Sequence, residues 1–418
     1  MADLIITEKQ KETVILVGVA LGAAEETQES LFELEELAQT AGAQTVDYVI
    51  QARESIHPGT YVGSGKVKEI LELIDTTNAS GIICDDELSP AQIRNLREEL
   101  NVKVMDRTLL ILDIFAARAT SVEGKVQVEL AQQKYLATHL TGLGTSLSRL
   151  GGGIGTRGPG EKKLEMDRRA IRSRITNLKR ELKEIEKHRD LLREKRRRSS
   201  LKTAAIVGYT NAGKSTLLNT LTDAEVLEED KLFATLDPTT RVLELSSGQN
   251  ILLTDTVGFI NKLPHHLVEA FKSTLEEASY ADYLIHVADA HNPNVDEQMK
   301  VVYNTLKDLG AEKKKTITVF NKIDLLEEEE NEEIDFHDSH AKKVIFASIK
   351  EKRGIEEIKS ELEELLTEEQ IFVERLIPYS KTALIAQIRE YGTLLSEEYT
   401  AEGIQIKAYV PMEVYGRL

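Results

Sequence analysis

Residues 208 to 215 read Gly208-Tyr209-Thr210-Asn211-Ala212-Gly213-Lys214-Ser215, between the apolar run Ala204-Ala205-Ile206-Val207 and the helical pattern Thr216-Leu217-Leu218-Asn219. A glycine-rich turn that ends a buried strand and opens a helix is the pattern of a phosphate-binding loop, and it commits this part of the chain to an α/β fold. Gly208 and Gly213 let the backbone N–H groups of Tyr209, Thr210, Asn211, Ala212 and Thr216 turn toward the α- and β-phosphates. Lys214 reaches the β/γ-phosphates and the Ser215 hydroxyl is a ligand for Mg²⁺. The helix that follows aims its N-terminus at the anion.

Three further stretches follow in the order such a site needs. Asp255-Thr256-Val257-Gly258 comes directly after the apolar strand Ile251-Leu252-Leu253. There a carboxylate at the strand end holds Mg²⁺ and the Gly258 N–H meets the γ-phosphate. Asn321-Lys322-Ile323-Asp324 follows the strand Ile317-Thr318-Val319-Phe320 and selects the base. The Asp324 carboxylate accepts from N1–H and the 2-amino group of guanine, and adenine offers neither donor, so GTP is favoured over ATP. Phe346-Ala347-Ser348-Ile349-Lys350 ends a further strand, where Ser348, Ile349 or Lys350 can present an N–H to the guanine O6. The polar, Pro-broken segment from Phe233 to Arg241 reads as a loop ordered by Mg²⁺ and γ-phosphate, with Thr239 its metal-sensing hydroxyl and Thr240 the alternative. Lys214, Thr239 and Gly258 are the expected catalytic groups, and Ser215, Thr239 and Asp255 the expected Mg²⁺ ligands.

At 418 residues the chain exceeds one compact core. Strand and helix signals alternate from Val14 to Met105, predicting an N-terminal α/β domain over residues 1–107. A helical hairpin is expected over 108–199, with a glycine-rich tip at 150–160, since Ile171, Ile175, Leu178, Leu182 and Ile185 form a short coiled-coil seam. A P-loop Ras-like domain over 200–370 and a small C-terminal α/β domain over 371–418 complete the reading. Glycines at His57 to Lys66 resemble a second phosphate loop, but Val67 stands where a metal-binding hydroxyl belongs, so a plain strand-to-helix turn is the expectation. The lone Cys84 lies in an apolar run and is expected in a core.

The net charge is −18, yet residues 157–198 carry 17 Lys/Arg against 8 Asp/Glu, so that stretch is +9 and the rest of the chain −27. Such segregation reserves one region for a polyanion. Six glycines fall between Gly151 and Gly160, beside Arg149 and Arg157. Exposed backbone at Gly151, Gly152, Gly153, Gly158 and Gly160, flanked by Lys162, Lys163, Arg168 and Arg169, can approach RNA closely; the alternative is a plain connecting loop. No apolar run is long enough to span a membrane, and a cytoplasmic location is expected.

These stretches together resemble the HflX family of translation-factor-class GTPases over nearly the whole chain. The carrying motifs are Gly152 to Glu161 with Leu164 to Arg169, Gly208 to Ser215, Phe233 to Thr239, and Asp255 to Ile260. The resemblance implies GTP hydrolysis and binding to the large ribosomal subunit and its rRNA in the GTP state. It also implies separation or rescue of stalled or stress-inactivated ribosomes, by a protein monomeric off the ribosome. Lys162-Lys163 replaces the family's Thr-Gln, so contacts at the tip are expected to differ. Asn211 resembles the asparagine that holds K⁺ in related GTPases; a structural role is the alternative. Phe259 occupies the place of the water-orienting glutamine of Ras-like enzymes and can neither donate nor accept. Two rival classes are a GTP-gated ribosome-binding assembly module in which hydrolysis is incidental, and a membrane or metal-transport GTPase.

Overall fold

A computed structural model describes residues 12–147, 159–197, 201–222, 232–262, 272–328, 336–368 and 370–418. The chain divides into two compact units, Met1–Lys183 with Asn261–Ala270, and Glu184–Ile260 with Phe271–Leu418.

The first unit is built on four parallel strands in the order β2-β1-β3-β4: β1 (Thr13–Ala20), β2 (Gln44–Ala52), β3 (Gly81–Cys84) and β4 (Lys103–Asp106). Ile15, Leu16 and Val17 of β1 are wholly buried, as expected of a strand covered on both faces. The connecting helices are α1 (Ala24–Thr40), α2 (Ser64–Thr77) and α3 (Pro90–Leu100). Helix α3 starts where the sequence places a stop and a cap: Ser89 and Gln92 form a capping box, with Pro90 at the first position. Cys84 is buried in this core, and burial pushes its thiol up.

The turn before α2 engages its own donors. His57 Nδ1 accepts from the Gly59 and Thr60 N–H groups at 3.2 and 3.1 Å, and the Gly63 N–H donates to Gln51 Oε1 at 2.8 Å. Those amides are therefore not aimed at a phosphate, which fits the plain-turn reading.

The region expected to open the hairpin at residue 108 begins with two helices, α4 (Arg107–Arg118) and α5 (Val122–Leu147). Asp106 caps α4 by accepting from the Leu109 N–H, and Ser121 Oγ accepts from the Gly124 N–H at the start of α5. Leu110, Ile111, Leu112, Ile114 and Phe115 are all buried and α4 packs on α1 and β4, so it covers the first sheet rather than entering the hairpin. Helix α6 (Pro159–Arg197) returns antiparallel to α5: Arg174 grips Glu129 through two bonds of 2.5 and 2.6 Å, and Arg168 donates to the Leu140 carbonyl at 3.0 Å. Leu178, central in the expected seam, is fully buried. The tip at 150–158, with Arg149, Gly151, Gly152, Gly153, Arg157 and Gly158, lies outside the described residues, as do the side chains of Lys162 and Lys163.

The second unit holds a six-stranded sheet in the order β10-β9-β8-β5-β7-β6. Its strands are β5 (Lys202–Gly208), β6 (Thr239–Glu244), β7 (Asn250–Asp255), β8 (Tyr283–Asp289), β9 (Lys315–Asn321) and β10 (Lys343–Phe346). Only β6 runs antiparallel. Around it lie α7 (Lys214–Thr222), α8 (Lys272–Tyr280), α9 (Val295–Asp308), α10 (Ile323–Glu328) and α11 (Ile355–Glu368). The core runs through Ile206, Leu217, Leu253, Ile285, Val319 and Leu362.

The C-terminal segment is an antiparallel sheet in the order β11-β13-β12, with α12 (Ala383–Tyr391) on one face. Its strands are β11 (Ile371–Ile377), β13 (Ile404–Val410) and, between them in sequence, β12 (Thr393–Tyr399). Its Ser-Glu-Glu run hides the alternation because it is an edge strand pairing only with β13. Gln249 ties this sheet to the larger one, donating to Gln370 and Thr393 at 3.1 and 2.8 Å.

Candidate guanine-nucleotide site

Parallel strands deliver their C-terminal ends to one edge, and ligands of open α/β sheets bind there. Here Ile206 is level with Asp255, Gly208 with Val287, and Asp289 with Asn321, so residues 47 to 113 positions beyond Gly208 converge beside the phosphate loop. At this edge lies a cleft of about 440 Å³. It is bounded by Thr210, Asn211, Gly213, Lys214, Ser215 and Thr216 on one side, by Phe233, Ala234, Thr235, Thr256 and Gly258 on another, and by Asn321, Lys322, Asp324, Leu325, Ile349 and Lys350.

The phosphate loop is held in a strained backbone. Gly213 has φ +100°, and a Cβ there would fall 2.4 Å from Asn321 Nδ2, so only glycine allows the close approach. Asn211 is exposed, with φ +60°. Lys214 is buried and donates to the Tyr209 carbonyl at 2.6 Å. Burial lowers its ammonium to about 8, opposed by the Asp255 carboxylate.

Ser215 Oγ donates to Asp255 Oδ2 at 2.7 Å and lies 2.8 Å from Thr235 Oγ1. The other Asp255 oxygen, Oδ1, is buried with no hydrogen-bond partner among the described residues. Burial raises the Asp255 carboxyl, against the pull of Lys214 and its hydroxyl donors. A buried carboxylate with one uncommitted oxygen, between two hydroxyls, is a set of hard oxygen ligands suited to Mg²⁺. The hydroxyl the structure brings to this group is Thr235, in place of the expected Thr239 or its alternative Thr240. Those two open strand β6, where Thr239 pairs across from Asp255 and the Thr240 hydroxyl meets that of Thr254 at 2.9 Å. The β-branched Thr239, Thr240 and Val242 were the available signal that this stretch pairs as a strand.

The sensing loop is packed against the phosphate loop. The Thr210 N–H donates to the Phe259 carbonyl at 2.8 Å and the Phe259 N–H to the Gly208 carbonyl at 3.1 Å. The Phe259 ring is 1% exposed, so the residue standing in the glutamine position is a core anchor. A Cβ on Gly258 would come within 2.8 Å of Lys214 Nζ and 2.9 Å of Thr210 Cα.

At the base side, Asn321 lines the cleft and also ties its walls together. Its Nδ2 donates to the Ala212 carbonyl at 2.9 Å and its Oδ1 accepts from the Ile349 N–H at 3.0 Å. It is a strap joining the phosphate loop, β9 and the Ser348-Ile349-Lys350 turn. Lys322, at φ +67°, is fixed by Asp289 at 2.6 Å. Asp324 lines the cleft from the first turn of α10, and Ser348 is fully buried with its Oγ accepting from the Glu351 N–H at 3.3 Å.

A phosphate loop, a carboxylate at the neighbouring strand end and an Asn-Lys-x-Asp turn on one edge of a six-stranded sheet define a P-loop GTPase. Residues 28–116 match the family described as GTP-binding GTPase N-terminal, 118–196 its middle region, and 203–322 the 50S ribosome-binding GTPase family. The GTPase HflX of Lacrimispora saccharolytica is 57% identical over 418 residues, covering 100% of this chain and 98% of the relative. That of Escherichia coli is 44% identical over 358 residues, covering 86% and 84%. The chain belongs to the HflX GTPase family. A GTP-binding protein from Sulfolobus solfataricus, solved in complex with GDP, is 26% identical with a TM-score of 0.44, covering 84% of this chain and 98% of that one.

Proposed function

We propose that the protein binds the large ribosomal subunit in its GTP state, through rRNA, and splits or rescues stalled ribosomes, with hydrolysis resetting it. The observation that carries this reading is the match of residues 203–322 to a family described as 50S ribosome-binding GTPases. The basic helix α6 supplies chemistry suited to the partner. Its charge is segregated from an otherwise acidic chain, and Arg169 is exposed on its surface, paired with Glu165. Arg149, Arg157, Lys162 and Lys163 at the tip would add phosphate contacts, with the glycines admitting a close backbone approach. Arg168 contributes through the hairpin itself, by its bond to Leu140.

In hydrolysis Lys214 would neutralise charge on the β/γ-phosphates, and the Gly258 N–H would donate to the γ-phosphate. Ser215, Asp255 and Thr235 would hold Mg²⁺, which draws charge from the phosphate oxygens. Asn211, which lines the cleft, would hold K⁺. Phe259 cannot orient water, so intrinsic turnover is slow and the ribosome accelerates it. Off the ribosome the protein is a cytoplasmic monomer. Among the described residues no helix is long and apolar enough to cross a membrane.

The test is sedimentation with large subunits in a non-hydrolysable GTP analogue or GDP, across a potassium chloride series. Analogue-dependent binding that weakens when Gly151 to Gly160 is replaced by a short polar turn, with GTP affinity retained, supports the reading. Equal binding in both nucleotides and no effect of the replacement would overturn it. Turnover that ribosomes do not stimulate would favour the binding module in which hydrolysis is incidental.

A further inference from the structure

The turn that reads the base carries two opposite charges two residues apart, Lys322 and Asp324, and both line the cleft. A lysine is a point charge on a flexible four-carbon stem, and two residues of chain span at most about 7 Å, so its ammonium can reach the neighbouring carboxylate. An ion pair between the two would cover the oxygens that accept from guanine N1–H and its 2-amino group. The structure does not make that pair. The Asp324 side chain has no hydrogen-bond or ion-pair partner among the described residues. The Lys322 ammonium goes instead to Asp289 Oδ2, at 2.6 Å.

Asp289 belongs to a different strand and is not one of the residues that line the cleft. It ends β8, level with Asn321 at the end of β9, and the Ala290 N–H donates to the Asn321 carbonyl at 2.9 Å, which joins the two strand ends. Its carboxylate has an orientation of its own: Oδ1 accepts from the His291 N–H at 3.1 Å and Oδ2 is left for the lysine. Lys322 leaves the strand in a left-handed conformation, φ +67°. The two side chains are only 28% and 15% exposed, so salt screens this pair less than one on the open surface.

We propose that Asp289 is a positioning residue for base selection: by holding the Lys322 ammonium away from Asp324, it keeps that carboxylate unpaired for the guanine edge. The proposal rests on the reading of Asp324 as the guanine acceptor and is independent of any ribosomal partner. A plain structural tie between β8 and the turn has a different consequence. Losing Asp289 would loosen the turn, and losing the lysine charge as well would repair nothing.

The experiment titrates the full-length protein calorimetrically with GDP and with inosine diphosphate, which keeps N1–H and lacks the 2-amino group. The wild type should prefer GDP by about tenfold or more, because the analogue leaves an acceptor unpaired. Asp289→Asn keeps the shape and an acceptor for the His291 N–H, and frees the ammonium to cover Asp324. GDP affinity should then fall by about tenfold and the preference for GDP to about threefold or less, with kcat at saturating GTP within about twofold of wild type. Asp289→Asn combined with Lys322→Met, which keeps the apolar stem and removes the charge, should recover most of the lost preference, since the competing cation is gone. An unchanged preference in Asp289→Asn would overturn the proposal, and so would a double variant no more selective than Asp289→Asn; both results leave Asp324 as the guanine acceptor. A wild type that binds the two diphosphates equally would remove Asp324 from that role and the proposal with it.

Discussion

Replacing Asn321 by Ala tests whether the guanine site is assembled by a strap between loops. The side chain is 5% exposed and makes two bonds, to the Ala212 carbonyl at 2.9 Å and from the Ile349 N–H at 3.0 Å. Truncation leaves a buried carbonyl and a buried N–H unpaired, at about 1–3 kcal/mol each, with water from the adjacent cleft holding the sum near about 2–4 kcal/mol. Both freed loops belong to the cleft, so the cost of ordering them moves from folding to binding. GDP affinity should fall by about 30- to 1,000-fold, from 1.4 kcal/mol per decade. Calorimetric titration with GDP and GTP, beside thermal unfolding of the free protein, reads the two contributions separately. Asn321→Asp should lie between, because it keeps an acceptor for the Ile349 N–H and loses the donor to Ala212. GDP affinity within about threefold of wild type in Asn321→Ala, with an unchanged Tm, would refute the strap reading.

Three further outcomes follow from the geometry. Lys214 is lowered to about 8 by burial and must be charged to meet phosphate, so GTP affinity of the free protein should be level below pH 8 and decline by up to about tenfold per unit above it; a flat profile to about pH 9.5 would contradict this. Gly258→Ala forces the loop off Lys214 and Thr210, so hydrolysis should drop by about tenfold or more while GDP affinity stays within about threefold, checked by single-turnover kinetics. Burial lowers His286, which faces Asp338, Tyr303, His340 and, at longer range, the Lys214 charge. Its folded value lies below the ordinary 6.5, so its contribution is full above 6.5 and is lost as pH falls through the folded value, at a slope of up to about 1.4 kcal/mol per unit. Denaturant unfolding should show that slope in wild type and a shallower one in His286→Gln; identical slopes would remove His286 from the account.

The sequence by itself determined the nucleotide class. Gly208 to Ser215, Asp255 to Gly258 and Asn321 to Asp324 are local strings whose backbone and side-chain chemistry act within a few residues, and each sits at the end of an apolar run that can only be a buried strand. The parallel first sheet and the antiparallel return of α6 were legible for the same reason, since hydrophobic period is a property of the chain. Tertiary structure alone decided which threonine meets Ser215 and Asp255. Thr235, Thr239 and Thr240 are chemically alike, and the pairing of β6 with β7 removes two of them. Only the fold shows that Asn321 faces Ala212 and Ile349, at separations of 109 and 28 residues. Lys262, 177 residues from Asp85, was invisible for a similar reason: a lone lysine has no pattern, and its pairing with Asp85 and Asp86 is made only by the fold. Long-range pairs of single side chains leave no periodic trace in a sequence; they are fixed by packing, which brings distant strand ends to a common edge.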